Sequence, residues 1–167
     1  MAVVREDSVD RHVKQWQPEV PYLDPTVEAI VTRMQFLVHH LRQSQQSLIA
    51  EEGMQLGEFK TLHRLAGRGA PYRSTPTELA GELLLSPAAM TGRLDALERL
   101  GYVRRLHDTT DRRRVLVELT PEGRQAWRRG IDRIGSVEDA LVRVLEPDEQ
   151  AQLSALLKRL LLSVEDA

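Results

Sequence analysis

The stretch TPTELAGELLLSPAAMTGRLDALERLG, residues 75–101, decides the predicted fold. Thr75, Pro76 and Glu78 form a capping box, in which the threonine hydroxyl and the glutamate carboxylate each accept a hydrogen bond from an otherwise unpaired amide. Ser86 and the proline after it start a second helix after scarcely a turn's break. The side chains predicted to be buried are Leu79, Ala80, Leu83 and Leu84 in the first helix and Met90, Leu94, Leu97 and Leu100 in the second. Two short helices joined in this way are typical of a helix-turn-helix.

A two-stranded hairpin is predicted after Gly101, which ends the second helix. β-prone runs at 102–106 and 115–119 flank a polar segment. This segment carries Asp108, Asp111, Arg112, Arg113 and Arg114. We expect the two aspartates to brace the three arginines at the end of the hairpin. Helix, turn, helix and hairpin, in this order, predict a winged helix-turn-helix.

Apolar side chains at helical spacing predict that most of the remaining chain is helical. The expected helices lie at about 5–16, 24–50, 56–65 and, in two segments, 121–165. The fold class is therefore mainly α with a small β-hairpin (α+β). We expect an N-terminal extension with an extra helix at 1–23 and one domain at 24–167, with the winged helix-turn-helix at about 55–120. The apolar stripes of residues 27–48 and 131–164 exceed what one small lobe can cover, which favours burial against a second chain.

The composition excludes several functional classes. The chain has 167 residues, about one domain, and contains no cysteine, which excludes disulfides, thiol redox chemistry and cysteine-ligated zinc. No apolar stretch approaches the roughly 18 residues of a membrane span, so we expect a cytoplasmic protein without a membrane partner. Phosphate-binding glycine loops, a nucleophile elbow and a His-Glu-x-x-His motif are absent, and the five histidines show no metal-ligand spacing. The sequence therefore predicts neither an enzyme nor a cofactor.

The net charge of −2 hides a segregated distribution. Residues 1–60 carry 6 basic and 9 acidic side chains, residues 61–130 carry 13 and 8, and residues 131–167 carry 4 and 8, so the balances are −3, +5 and −4. Of the 23 basic residues 20 are arginine, whose planar guanidinium suits phosphates and base edges. The basic centre coincides with the predicted winged helix-turn-helix and favours double-stranded DNA as the partner.

The second helix of this motif carries the candidate base contacts. Small side chains allow its backbone to approach the bases of the major groove, and its amino-terminal end suits a phosphate. The predicted DNA-binding residues are Thr75, Ser86, Pro87, Ala88, Ala89, Thr91, Gly92 and Arg93, with Arg112, Arg113 and Arg114 reaching the minor groove or flanking phosphates. Arginines on a hairpin are also common as solvated surface charge, which is the alternative for the last three.

The chain resembles the MarR family of bacterial transcriptional regulators over essentially residues 24–164. The resemblance rests on the two helix starts, on Asp-Thr-Thr-Asp-Arg-Arg at 108–113 and on Leu-Thr-Pro-Glu-Gly at 119–123. It implies an obligate homodimer held by dimerisation helices at about 24–52 and 121–165. It also implies binding to a pseudopalindrome and release by a small anionic or aromatic ligand.

The N-terminal extension resembles the urate-responsive branch of that family, which implies three ligand-responsive residues. Trp16 and Arg93 match two of them by position, whereas Lys60 stands where that branch has an aspartate. We expect Lys60 and Arg93 to repel each other, and an anionic ligand bound under Trp16 to relieve the repulsion and shift the recognition helix. The alternatives are an ion pair of Lys60 with Glu58 or Glu28, plain packing of Trp16 and a DNA contact of Arg93.

Two other functions fit the same pattern. A winged helix can serve as a protein-interaction module that binds no DNA, and a regulator of this type can act without a ligand. Salt-sensitive binding to DNA separates the first alternative from a regulator, because displacement of counterions makes DNA binding fall steeply as salt rises.

Overall fold

The structure is a computed structural model that describes residues 5–107 and 114–166. The chain forms two compact units, Met1–Ser44 and Gln45–Ala167, and the helix Pro25–Ala50 includes residues of both. The described residues form seven helices and one three-stranded antiparallel sheet, which confirms the mainly helical fold class with a small β element.

The N-terminal unit contains the extra helix α1, Ser8–Trp16, and most of α2, Pro25–Ala50. Asp7 caps α1 by accepting hydrogen bonds from the amides of Val9 and Asp10, each at 2.8 Å. Arg33 of α2 binds both carboxylates, with Nε 2.8 Å from Asp7 and Nη2 2.5 Å from Asp10. This arginine, with the backbone amides, lowers the pKa of Asp7 to about 2. Because Asp7 is the cap, α1 begins at Ser8 and not at residue 5 as expected.

Helix α2 begins where the sequence predicts. Asp24 accepts a hydrogen bond from the amide of Thr26 at 2.7 Å, and Pro25 occupies the first helical position. In the N-terminal unit this helix leaves six large apolar side chains exposed, namely Val27, Ile30, Val31, Phe36, Leu37 and Val38.

The second unit contains the remaining elements. They are α3 (Leu56–Gly67), β1 (Arg73–Ser74), α4 (Pro76–Glu82), α5 (Pro87–Arg99), β2 (Val103–His107), β3 (Val115–Leu119), α6 (Pro121–Val142) and α7 (Pro147–Glu165). The strands are ordered β1-β3-β2, and both pairings are antiparallel. The sequence analysis missed β1, because two residues without apolar alternation give no strand signal.

The helix-turn-helix has the predicted caps. Thr75 Oγ1 accepts from the amide of Glu78 at 3.2 Å, and Glu78 Oε2 accepts from the amide of Thr75 at 3.1 Å. Ser86 Oγ accepts from the amide of Ala89 at 3.2 Å and starts α5.

Two leucines predicted to be buried in this motif are exposed, Leu84 by 93% and Leu100 by 39%. Leu84 lies in the turn with a φ of +52°, outside the helical periodicity that predicted its burial. Leu100 is the C-cap of α5, where the helical stripe ends. Burial is confirmed for Leu79, Met90, Leu94 and Leu97, which are all at most 1% exposed, and for Ala80, whereas Leu83 is half-buried.

Helix α6 approaches the sheet and α3 closely at two glycines. A Cβ atom on Gly123 would lie 2.0 Å from the carbonyl oxygen of Tyr102, and one on Gly130 would lie 2.4 Å from the ring of Phe59. Thr120 starts the helix as predicted, since its Oγ1 accepts from the amide of Gly123 at 3.0 Å. The glycines therefore fix how closely α6 lies against the winged helix-turn-helix.

Helix α7 has no buried residue. Seven of its large apolar side chains are exposed by 42–73%, namely Leu153, Leu156, Leu157, Leu160, Leu161, Leu162 and Val164. An amphipathic helix owes most of its stability to packing of its apolar face, and in the single chain this face of α7 is exposed.

Candidate nucleic-acid interface

The outer surface of α5 is open and built of small side chains. Ser86, Pro87, Ala88, Ala89, Thr91 and Gly92 are all exposed. A Cβ atom on Gly92 would meet nothing within 4 Å, so no contact within the chain requires glycine there. Thr91 Oγ1 donates to the carbonyl oxygen of Pro87 at 2.9 Å, which leaves its lone pairs and its methyl group available. A helix with this surface fits the major groove, where alanine and threonine methyls contact thymine and a hydroxyl accepts from base amines.

Arg93 lies apart from this open surface. Its guanidinium lies over Gly57 of α3, where Nη1 donates to the glycine carbonyl oxygen at 3.2 Å. A Cβ atom on residue 57 would come within 2.8 Å of Arg93 Cζ. The sequence groups Arg93 with the predicted DNA-binding residues of α5, whereas in the structure it is half-buried against α3. No local pattern identifies Gly57 as its partner, because the two residues are 36 positions apart.

Arg105 ties the hairpin to α5. It forms ion pairs with Asp95, at 2.6 Å, and with Glu98, both on α5, the predicted recognition helix. Burial alone lowers the pKa of the Arg105 guanidinium, but its hydrogen bonds to Asp95 and Glu98 outweigh burial and raise the pKa above the ordinary value. A charge held in this way fixes the orientation of α5 relative to the strands.

The hairpin, or wing, is also linked to α4 by Arg114, which directly precedes β3. Arg114 Nη2 lies 3.2 Å from Glu78 Oε1, the carboxylate of the capping box. Hydrogen bonds from the Thr75 amide and the Ser74 hydroxyl, together with nearby arginines, lower the pKa of Glu78. Asp108, Asp111, Arg112 and Arg113 lie outside the described residues, so the predicted bracing by the aspartates and the contacts of these two arginines stay predictions.

The outer face of the sheet carries an ion cluster that the sequence analysis missed. Glu118 of the central strand pairs with Arg73 on β1 and Arg104 on β2, its cross-strand neighbours in the register. Burial alone raises the pKa of Glu118, but hydrogen bonds from Arg104 and Arg73 outweigh it and hold the pKa below its ordinary value. The cluster joins all three strands. The cluster could not be predicted, because Arg73 lies beside Glu118 only when β1 pairs with β3, and the sequence gives no signal for β1.

Lys60 is exposed and lines a cavity of about 360 Å³ in the second unit. The walls include Leu56, Phe59, His63, Ile131 and Ile134. Arg93 is not among the described residues that line it. Glu58, one carboxylate considered as a partner of Lys60, caps α3 by accepting from the amide of Gln55 at 2.8 Å. The cavity therefore offers apolar walls, one ammonium group and one carboxylate, that of Glu138, which accepts a hydrogen bond from Gln45 at 3.3 Å.

Trp16 lines a different cavity, of about 220 Å³, within the N-terminal unit. Its other walls include His12, Val13, Val20, Leu23 and Glu28. The ring centroids of Trp16 and His12 are 6.2 Å apart. Half of the Trp16 surface is exposed in the single chain, so packing of the extension onto a second chain stays an alternative for this residue.

Within residues 5–107 and 114–166, no three side chains of the histidine or carboxylate type are grouped to hold a metal ion. In the same part of the chain no helix combines the length and the hydropathy required to cross a membrane.

Comparisons with known proteins agree on one family. The sequence pattern that defines the MarR family matches residues 54–115. The multiple antibiotic resistance protein MarR of Salmonella typhimurium is 39% identical over 105 residues, which cover 62% of this chain and 71% of that protein. The HTH-type transcriptional regulator PecS of Dickeya dadantii is 29% identical over 147 residues, or 88% of this chain and 89% of PecS.

A solved structure shows the same fold. A single-residue mutant of S. aureus MepR bound to an oligodeoxyribonucleotide superposes with a TM-score of 0.64 at 22% identity, over 81% of this chain and 97% of MepR. Together with the capped helix pair, the three-stranded sheet and the arginine-bearing hairpin, these likenesses show that the chain belongs to the MarR family of transcriptional regulators and has the family's DNA-binding winged helix-turn-helix fold.

Proposed function

We propose that this protein is a homodimeric repressor that binds a pseudopalindromic operator in double-stranded DNA and is released by a small anionic or aromatic ligand. The observation that carries the proposal is the open, small-residue surface of α5, which Arg105 holds in a fixed orientation against the hairpin. A regulator of chromosomal DNA acts in the cytoplasm, so we place the protein there.

The proposed contacts divide into two classes. Ala88, Ala89, Thr91 and Gly92 face the bases and determine which sequence is bound. Thr75, Ser86, Pro87, Arg112, Arg113 and Arg114 hold the sugar-phosphate backbone or enter the minor groove. Arg93 stays a predicted base or phosphate contact, and in the single chain its guanidinium lies over Gly57 instead. Arg113→Ala is therefore expected to weaken binding to all sequences, whereas Thr91→Ala changes the preferred sequence.

Burial of α7 against a second copy of the chain accounts for its exposed apolar side chains. Seven such side chains on a helix with no buried residue are more apolar surface than isolated surface positions explain. The same pairing gives the α2 stripe of the N-terminal unit a partner. A twofold dimer presents two recognition helices to grooves about 34 Å apart, so the operator is an inverted repeat of about 16–20 base pairs.

The proposed effector site is the cavity lined by Lys60. Its apolar walls suit an aromatic ring, and the Lys60 ammonium group suits a carboxylate or another anion. The Glu138 carboxylate also lines the cavity, where it accepts a hydrogen bond from Gln45. The walls come from α3, next to the helix-turn-helix, and from α6, so a bound ligand would alter how these helices pack. Ligand and DNA would then be negatively coupled. Arg93 contacts α3, the helix that carries Lys60, through its hydrogen bond to Gly57. Trp16 stays a predicted ligand residue, and it lines a separate cavity in the N-terminal unit.

A DNA-binding titration tests the proposal. The purified protein is titrated against its own upstream region, alone and with urate, other purines, aromatic acids and polycarboxylates. We expect salt-sensitive binding to the DNA and release by at least one anion. Lys60→Ala should abolish that release, whereas Arg64→Ala, which removes a charge from the same helix outside the described cavity lining, should not. Salt-insensitive or absent DNA binding contradicts the repressor, and release unchanged in Lys60→Ala contradicts the effector site.

A further inference from the structure

Leu84 occupies the turn of the helix-turn-helix in an unusual state. Its side chain is 93% exposed and its φ is +52°. Residues with a Cβ atom rarely adopt this left-handed region, which glycine and asparagine tolerate far better. An exposed leucine in a disfavoured backbone conformation contributes nothing evident to folding.

The turn around Leu84 is well ordered by its neighbours. Leu83 and Leu85 pack against the core, and the amide of Leu85 donates to the carbonyl oxygen of Ala80 at 2.8 Å. The amide of Leu84 donates to the carbonyl oxygen of Gly81 at 3.2 Å. With both neighbours directed inward, the backbone holds the Leu84 side chain out into solvent at a defined place.

That place is two residues before Ser86, the cap of the recognition helix. Pro87 and Ala88, in the first turn of α5, are also apolar and exposed. A leucine side chain has no hydrogen-bonding group, so it cannot hold a phosphate or pair with a base edge. The apolar group that DNA offers in the major groove is the 5-methyl group of thymine. We propose that Leu84 contacts a thymine methyl group at the edge of each half-site and so contributes to operator specificity.

This inference rests on the proposed DNA-binding function, and a double-mutant cycle tests the two separately. A duplex footprinted from the upstream region is synthesised with each thymine in turn replaced by deoxyuridine, which removes only the methyl group. Binding of the wild type, Leu84→Asn and Leu84→Met is measured by fluorescence anisotropy. Asparagine accepts the left-handed backbone and removes the apolar contact, whereas methionine keeps the side chain apolar. Thermal unfolding confirms that each variant is folded.

We expect one symmetry-related pair of thymines at which loss of a methyl group weakens wild-type binding by roughly fourfold, the value of one buried methylene-sized group. The same replacement should have no effect on Leu84→Asn and a retained effect on Leu84→Met. An identical pattern of deoxyuridine effects in the wild type and Leu84→Asn overturns the proposal. Equal weakening of Leu84→Asn on every duplex is one form of this result and also overturns the proposal, because no thymine methyl group is then contacted by Leu84. Failure of the wild type to bind the upstream DNA at all contradicts the proposed function instead.

Discussion

Replacing Leu156 and Leu160 of α7 by alanine should dissociate the proposed dimer. The two side chains are 48% and 49% exposed in the single chain, so a partner can cover about half of each. Complete burial of a leucine side chain stabilises a protein or a complex by roughly 1.5–3 kcal/mol. Burial of the exposed half of one side chain in the dimer would therefore contribute about 0.7–1.5 kcal/mol to the free energy of association. A twofold interface contains four such side chains, or about 3–6 kcal/mol. At a factor of ten for each 1.4 kcal/mol, the dimer dissociation constant should rise by roughly two to four orders of magnitude.

Sedimentation equilibrium over a range of protein concentrations measures this constant. Arg159→Ala is the matched control, because it shortens an exposed side chain of the same helix without removing an apolar contact. It should leave the constant within a factor of about three. A wild type that is monomeric throughout, or a double variant that dimerises as tightly as the wild type, refutes the assignment of α7 to the dimer interface.

Three further predictions concern the packing and charge of the second unit. Gly123→Ala should lower the free energy of unfolding by about 2–3 kcal/mol in chemical denaturation, because the added Cβ would lie 2.0 Å from the Tyr102 carbonyl oxygen. In the control Gly135→Ala, on the same helix, the added Cβ meets nothing within 4 Å, so the free energy of unfolding should rise by about 0.5–1 kcal/mol. Gly92→Ala should likewise raise the free energy of unfolding. It should also weaken DNA binding by about tenfold in anisotropy titrations, because a methyl group at residue 92 holds α5 away from the bases. Unchanged DNA binding would show that α5 does not approach the bases closely. Glu118 has a lowered pKa, so its ion pairs stabilise the fold at and above its ordinary pKa, and this stabilisation is lost as the pH falls through the folded-state pKa. The difference in unfolding free energy between the wild type and Glu118→Gln should therefore shrink over that acid range. A difference that stays constant with pH would contradict the ion-pair explanation.

The starts of α4, α5 and α6 could be predicted because each depends on two or three adjacent residues. Thr75, Ser86 and Thr120 accept the expected amide hydrogen bonds, and the proline after each occupies the first helical position. The two hairpin strands followed in the same way from a change of apolar period. Strand β3 has the predicted bounds, whereas β2 lies one residue later than predicted.

Features that depend on long-range contacts or on unusual backbone could not be predicted. The position of Arg93 over Gly57 depends on how α5 crosses α3, which no local pattern encodes. Leu84 was predicted to be buried because helical periodicity assigns it to the apolar face, and a leucine gives no signal for a left-handed turn. Glu118 belongs to a cluster only because strand β1 forms beside it, and a two-residue strand has too few side chains to show alternation.

The central claim is that the basic middle of the chain binds double-stranded DNA as a dimer. The most direct test is the salt dependence of binding to the upstream duplex, plotted as the logarithm of the association constant against the logarithm of salt concentration. Each phosphate neutralised contributes about −0.9 to the slope. If the three wing arginines of both protomers engage phosphates, the slope is about −5. A slope shallower than about −1, or no measurable binding at low salt, would contradict the claim.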